Sequence, residues 1–266
     1  MKTFRLIRPI AAAAALSLLS GCISPPASSD GTAYINGAIR MSPMRKMAPL
    51  PERGVHHLGL VMKTDDVVGA QTVATTVFGN QVDLSTQPLL SDGEKHGLFV
   101  AGFAEDSSVR ISDVGDARDV LLAAIKYNAW SGKPSLEQTP AVKAQVDELR
   151  AKGIDALLVI REERLVDFIG MTSQSLQSHG VYRRHDTVAV YGGFTVSVID
   201  LKTFTLLPDA QYTQALSRPF SAAPWKDQLA EYSPSELATI TEALREVLRA
   251  NARQTAIMLK ATRDVR

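Results

Sequence analysis

Thr139-Pro140 opens a segment that Gly153 closes, and the chain then runs straight into Ile154-Asp155-Ala156-Leu157-Leu158-Val159-Ile160. Threonine is a good helix N-cap and proline suits the first helical position, where no N–H is needed. Val142, Val146 and Leu149 fall on one helical face, and Gly153 stops the helix in the left-handed conformation that glycine tolerates. The unbroken apolar run that follows is a strand buried on both sides. A helix joined by one glycine to such a strand demands a sheet with packed layers, so the fold class is α/β.

A second constraint comes from residues 187–199. Val188, Val190, Phe194, Val196 and Val198 share one parity, while Ala189, Tyr191, Thr195 and Ser197 take the other. Gly192-Gly193 could form a hairpin turn, but that would set Val190 against Thr195 and Val188 against Ser197 on one face. One long strand, bent or bulged at the glycines, keeps the apolar face continuous. The turn then falls at Asp200-Leu201-Lys202-Thr203, and residues 204–207 return as an antiparallel partner. The expected architecture is a single-domain mixed β-sheet with this helix-strand unit, a long antiparallel ribbon and flanking helices.

Other elements follow from the same periodicities. Val55 to Met62 reads as a strand, with Leu58, Leu60 and Met62 on one face. Residues 67–78 are rich in β-branched residues and read as strand, as does Leu98 to Phe103. Val114, Ala117, Leu121, Ala124, Ile125 and Asn128 predict a helix from Val114 to about Ala129, capped by Asp113 and stopped near Gly132. Ser233-Pro234-Ser235-Glu236 is a capping-box start, and Leu237, Ile240, Leu244, Val247, Asn251, Thr255 and Met258 line one face of a long last helix. No internal repeat is present.

Composition is that of an ordinary globular protein: 45% hydrophobic and 21% charged among 266 residues, with a single cysteine. One cysteine excludes an intramolecular disulfide and a multi-thiolate zinc site. A formal charge of +1 gives no field for nucleic acid.

The amino terminus is the most specific stretch. Lys2, Arg5 and Arg8 precede an apolar run from Pro9 to Leu19, too short to span a bilayer, and Leu19-Ser20-Gly21-Cys22 follows. This order resembles the signal and lipobox of bacterial lipoproteins. The resemblance implies cleavage after Gly21 and acylation of Cys22 with palmitate-type chains. Each buried CH₂ contributes about 0.8 kcal/mol and one chain anchors only reversibly, so several are needed. Ile23, where the family's inner-membrane members carry aspartate, implies the outer membrane, periplasmic face. Removing residues 1–21 takes away three of the 29 basic residues and none of the 28 acidic ones, leaving a net charge of −2.

The chain therefore divides into a signal peptide (1–21), an acylated tether (22–54) and a periplasmic α/β domain (55–266). The Ser- and Pro-rich stretch after Cys22 reads as a flexible coil reaching about 30 Å, with Arg40, Arg45 and Lys46 as a mild positive cluster on a solvated linker. The element order is loosely similar to small periplasmic α/β domains such as the amino-terminal domain of the TolB translocation protein and the core of the curli-secretion lipoprotein. The mature chain resembles uncharacterised proteobacterial lipoproteins, and that topological likeness implies a fold and no activity.

Chemistry is sparse in the pattern. His56, His57, His96, His179 and His185 show no metal-binding spacing, and adjacent His56 and His57 on a strand point to opposite faces. No nucleophile elbow, Walker loop or dinucleotide fingerprint occurs, so no metal, cofactor or nucleic acid is expected. One polar stretch stands out between the buried strand and the long ribbon: residues 167–186 gather Asp167, Ser173, Ser175, His179, Arg183, Arg184, His185 and Asp186. They are candidate ligand-binding residues because open α/β sheets bind ligands beyond strand ends. The sharper reading is a tethered hydrolase, with Ser173 or Ser175 as nucleophile, His179 or His185 as base, and Asp167 or Asp186 orienting it. The favoured reading is a polar surface loop on a non-enzymatic binding or assembly module. Its partners are the bilayer, through Cys22, and another envelope protein.

Overall fold

The structure is a computed structural model and describes residues 48–261 apart from 75–76, 129, 131–132 and 222–223. Cys22, the signal segment and the linker cluster lie outside the described residues. The first half runs β1 (His57–Lys63), β2 (Val68–Thr72), β3 (Gln81–Ser85), α1 (Asp92–Asp106), β4 (Arg110–Asp113), α2 (Ala117–Ala124), β5 (Ile125–Tyr127) and β6 (Pro134–Leu136). The second half runs α3 (Pro140–Ala151), β7 (Ala156–Arg161), β8 (Leu165–Val166), β9 (Ser175–Leu176), β10 (His179–Arg184), β11 (Thr187–Asp200), β12 (Thr205–Pro219) and α4 (Pro234–Met258). Ten strands form one mixed sheet, and β8 pairs with β9 as a separate small ribbon.

Strand β11 is the spine. Residues 189–200 pair with β12 along one edge. The opposite edge is shared end to end: Thr195–Asp200 take β7, and Thr187–Gly192 take β10. Beyond β7 lie β1 and β4, all parallel, and beyond β10 lie β2 (parallel) and β3 (antiparallel). Two half-sheets thus hang side by side from one strand. The parity argument for a single strand through Gly192-Gly193 holds, but the irregularity lies elsewhere. Pairing is continuous past the glycines, and the bulge falls between Ser197 and Ile199, opposite residues 207–210. Gly193 serves close packing instead: a Cβ there would sit 2.6 Å from the Ala215 Cβ and 2.8 Å from Leu165.

Both faces of β11 are buried, because both are covered. Phe194, Val196 and Val198 face α1 and α4 in a cluster with Phe99, Phe103 and Ala252. Ile199 faces α2 and α3, and Ala189 and Tyr191 face the 165–176 segment. The return strand is longer than residues 204–207, since β12 extends to Pro219.

The helix-strand unit forms as read. Thr139 Oγ1 accepts from the Val142 N–H, α3 ends before Gly153 at φ 78°, and β7 is central. Ser233 and Glu236 form the reciprocal capping box of α4. Leu50 is wholly buried in the core, so packing begins ahead of Val55.

Three expectations are corrected. Leu98 to Phe103 is not a strand but part of α1, because Ser91 and Glu94 make a capping box and Lys95, Phe99 and Phe103 then recur on one buried face. The second helix starts at Ala117 and stops at Ala124, where Ile125–Tyr127 leave to pair with β6. Asp113 ends β4 and accepts from the Gly115 N–H, and Asp116 is the N-cap. The strand within 67–78 ends at Thr72. No described helix is long and apolar enough to cross a membrane.

Candidate functional site

The carboxyl ends of the parallel strands β1 and β7 meet the start of β10 at the seam between the half-sheets. The Gly193 N–H donates to the Ser178 carbonyl at 2.8 Å, and Arg161 pairs with Thr195 two residues on. Into this seam project Asp65, just after β1, Glu162, just after β7, and Ser178 and His179 at the head of β10. Lys95 enters from α1. Its Nζ donates to Glu162 Oε2 at 2.9 Å and to the Asp65 carbonyl at 2.7 Å, and the Asp65 N–H donates to Glu162 Oε2 at 2.6 Å. Gln177 Nε2 donates to Asp65 Oδ2 at 2.8 Å, and Ser178 Oγ lies 2.9 Å from His179 Nδ1. The network continues through Gln71 Oε1, which accepts from the Gln177 N–H and from Tyr191 OH.

The inner members of this cluster are sealed from solvent, with Asp65 half-buried at its edge. The side chains of Lys95, Glu162 and His179 are at most 1% exposed. Burial pushes the Glu162 carboxyl up, although the Lys95 ammonium pulls it the other way. Burial, with Lys95 adding to it, pulls the His179 imidazole down to about 3, so the ring is neutral at ordinary pH. Glu162 Oε1 and His179 Nε2 are enclosed without a hydrogen-bond partner among the described residues. Ser178 and Glu162 both approach His179 at Nδ1, at 2.9 and 3.8 Å. A relay would need the carboxylate and the hydroxyl on opposite ring nitrogens. The geometry holds charge in place.

The other residues of the 167–186 segment are dispersed. Asp167 is buried, and its carboxylate accepts from the Ile169 and Gly170 N–H groups, from Thr172 Oγ1 at 2.6 Å and from Tyr182 OH at 3.2 Å. It fastens the loop over β10, and with burial it pushes the Tyr182 phenol up. Arg184 donates to the Gly170 carbonyl on the same loop. Ser173 and Ser175 are exposed, and His179 bonds to Ser178 rather than to either. Asp186 is exposed in the turn between β10 and β11. Arg183 and His185 line a common cavity of about 400 Å³, together with Thr72, Gln81 and Asp227. Among the described residues, no group of three or more His, Cys, Asp or Glu side chains is placed to hold a metal ion.

Sequence reading missed Lys95, Asp65, Glu162 and Ser178. A signal existed for two of them: Lys95 sits one and two turns before Phe99 and Phe103 on a helix face, and Glu162 directly follows the apolar run.

No family model and no curated protein matches the chain. Among solved structures it is similar to the PelC dodecamer from Paraburkholderia phytofirmans, at 9% identity over 85% of this chain and 99% of that one, with a TM-score of 0.32. A single-substitution form of that dodecamer gives 10% identity, 85% and 100% coverage, and 0.35. Protein XCC0632 from Xanthomonas campestris, of family DUF330, gives 11% identity over 84% and 94%, and 0.39. These likenesses carry no argument about activity.

Proposed function

We propose that the chain is a lipoprotein of the bacterial envelope, anchored through acylated Cys22 on the periplasmic face of the outer membrane. Its α/β domain acts as a binding or assembly module for another envelope component. The observation that carries this reading is the ordered series Lys2, Arg5, Arg8, the apolar run, and Leu19-Ser20-Gly21-Cys22. The stretch read as a tether after Cys22 is enough chain, as a flexible coil, to reach from a bilayer to a partner. The hydrolase reading has less support. Its serines are exposed, its histidine at 179 is sealed, and the Asp167 carboxylate is committed to four structural hydrogen bonds.

The test is metabolic labelling with palmitate in a bacterial host, followed by separation of the two membranes on a density gradient. The full chain should take up label and band with the outer membrane, Cys22→Ser should take up none, and Ile23→Asp should move the protein to the inner membrane. Label that persists in Cys22→Ser, or an unlabelled soluble full chain, overturns the anchor.

A further inference from the structure

Gln81 pairs with Thr72, and Thr72 pairs with Arg183, so these three side chains form one row across β3, β2 and β10. Cross-strand neighbours share a face. Two residues inward along β2 and β10, Ala70 and Val181 pack against Ile240 and Leu244 of α4, which fixes the row on the α4 side. The row is where the apolar core gives way to a polar floor. The two-residue turn between Arg184 and Thr187 holds His185 at φ 50°, and His185 also lines the cavity. Asp227 also lines the cavity, and its carboxylate accepts from Trp225 Nε1 at 2.8 Å.

Two features of this floor point to a ligand. The Arg183 guanidinium makes no ion pair among the described residues, whereas neighbouring Lys226 is committed to Glu236 at 2.6 Å. Thr72 Oγ1 is enclosed and has no hydrogen-bond partner among the described residues. A buried hydroxyl left unpaired costs stability, so it favours a partner beyond the described residues. The residues lining this cavity of about 400 Å³ carry a guanidinium, an imidazole, a hydroxyl and an amide, a donor set that matches an oxyanion with several acceptor lone pairs.

We infer that this cavity binds a small molecule through its carboxylate or phosphate group, with Arg183 as the charged anchor and Thr72, Gln81 and His185 as hydrogen-bonding partners. Asp227 accepts from any N–H or O–H group the molecule carries. The site is independent of the anchor at Cys22 and stands or falls separately from it.

The test is NMR titration of the full chain in detergent solution at fixed pH, following the His185 ring signals, assigned by their loss in His185→Asn. Inorganic phosphate and acetate are the two probes, with chloride at matched ionic strength as the control. Saturable shifts with phosphate alone assign a phosphate-type ligand, and saturation with acetate as well assigns the carboxylate class. Arg183→Gln should weaken binding at least about tenfold, the loss expected for one charge-assisted hydrogen bond. Thr72→Val, a change of nearly equal volume, should weaken it several-fold while raising the unfolding midpoint. Shifts no larger than those with chloride, or a response unchanged in Arg183→Gln, overturn the inference.

Discussion

Lys95 Nζ and Glu162 Oε2 meet at 2.9 Å with neither side chain in contact with solvent, and the pair ties α1 to the end of β7. Removing one charge strands the other in the interior. Lys95→Met should destabilise the fold by about 3–5 kcal/mol, and the double variant Lys95→Met/Glu162→Met should recover much of that loss. Urea unfolding of the two singles and the double decides it. Simple addition of the single effects would show that the pair is not coupled.

The seam also sets an acid limit. Unfolded, His179 takes up its proton near 6.5, and folded only at about 3. The unfolded chain therefore binds more protons in that window, and stability falls as pH drops through it, by about 1.4 kcal/mol per pH unit at most. His57, lowered chiefly by burial, acts with the same sign. Glu162, raised by burial, acts oppositely, because the folded form protonates first. His179→Asn should flatten the acid limb by up to one proton. Urea midpoints across the window measure the slope, and an unchanged slope would assign the acid sensitivity to other groups.

Asn251 sits inside α4, where Nδ2 donates to the Gly192 carbonyl at 2.9 Å and Oδ1 accepts from Gln214 Nε2 at 3.1 Å. Asn251→Ala removes the donor to the Gly192 carbonyl and one of the two acceptors of Gln214 Nε2, which keeps the residue-251 backbone carbonyl, and opens a small void. A loss of about 2–4 kcal/mol is expected in thermal or urea unfolding. A loss below 1 kcal/mol, roughly the net worth of one exposed bond, would mean that water replaces the contacts.

At the start of the same helix, Ser233 Oγ accepts from the Glu236 N–H and Glu236 returns the bond to the Ser233 N–H at 2.6 Å. Ser233→Ala should cost about 1 kcal/mol and Ser233→Gly only a few tenths. Comparing the two by urea unfolding separates the cap from general surface effects.

Local signals were legible in the sequence wherever a cap or a parity argument sufficed. Thr139, Pro140 and Gly153 bracket α3, and the even-numbered valines of β11 exclude a hairpin at Gly192-Gly193. Leu98 to Phe103 misled because a short apolar run fits both periods, and the deciding residues, Ser91 and Glu94, lie upstream of it. The seam was invisible because its members come together only in the fold: Lys95 and Glu162 are 67 residues apart, and Gln177 meets Asp65 across 112. The 167–186 segment did contain Arg183 and His185, but Thr72, Gln81 and Asp227 reach them from other parts of the chain.

The shared use of β11 has a consequence for how the chain assembles. Leu58 must find Ala156, and Ala70 must find Val181, each about a hundred residues away, and both pairings are completed only by a strand later in the sequence. Folding that depends on such distant contacts is slow, because loop closure must be met before the sheet repays it. Both half-sheets wait on β11 on a partly emerged chain. A polypeptide extruded from its amino terminus would stay incomplete, with apolar strands uncovered, until α4 had passed.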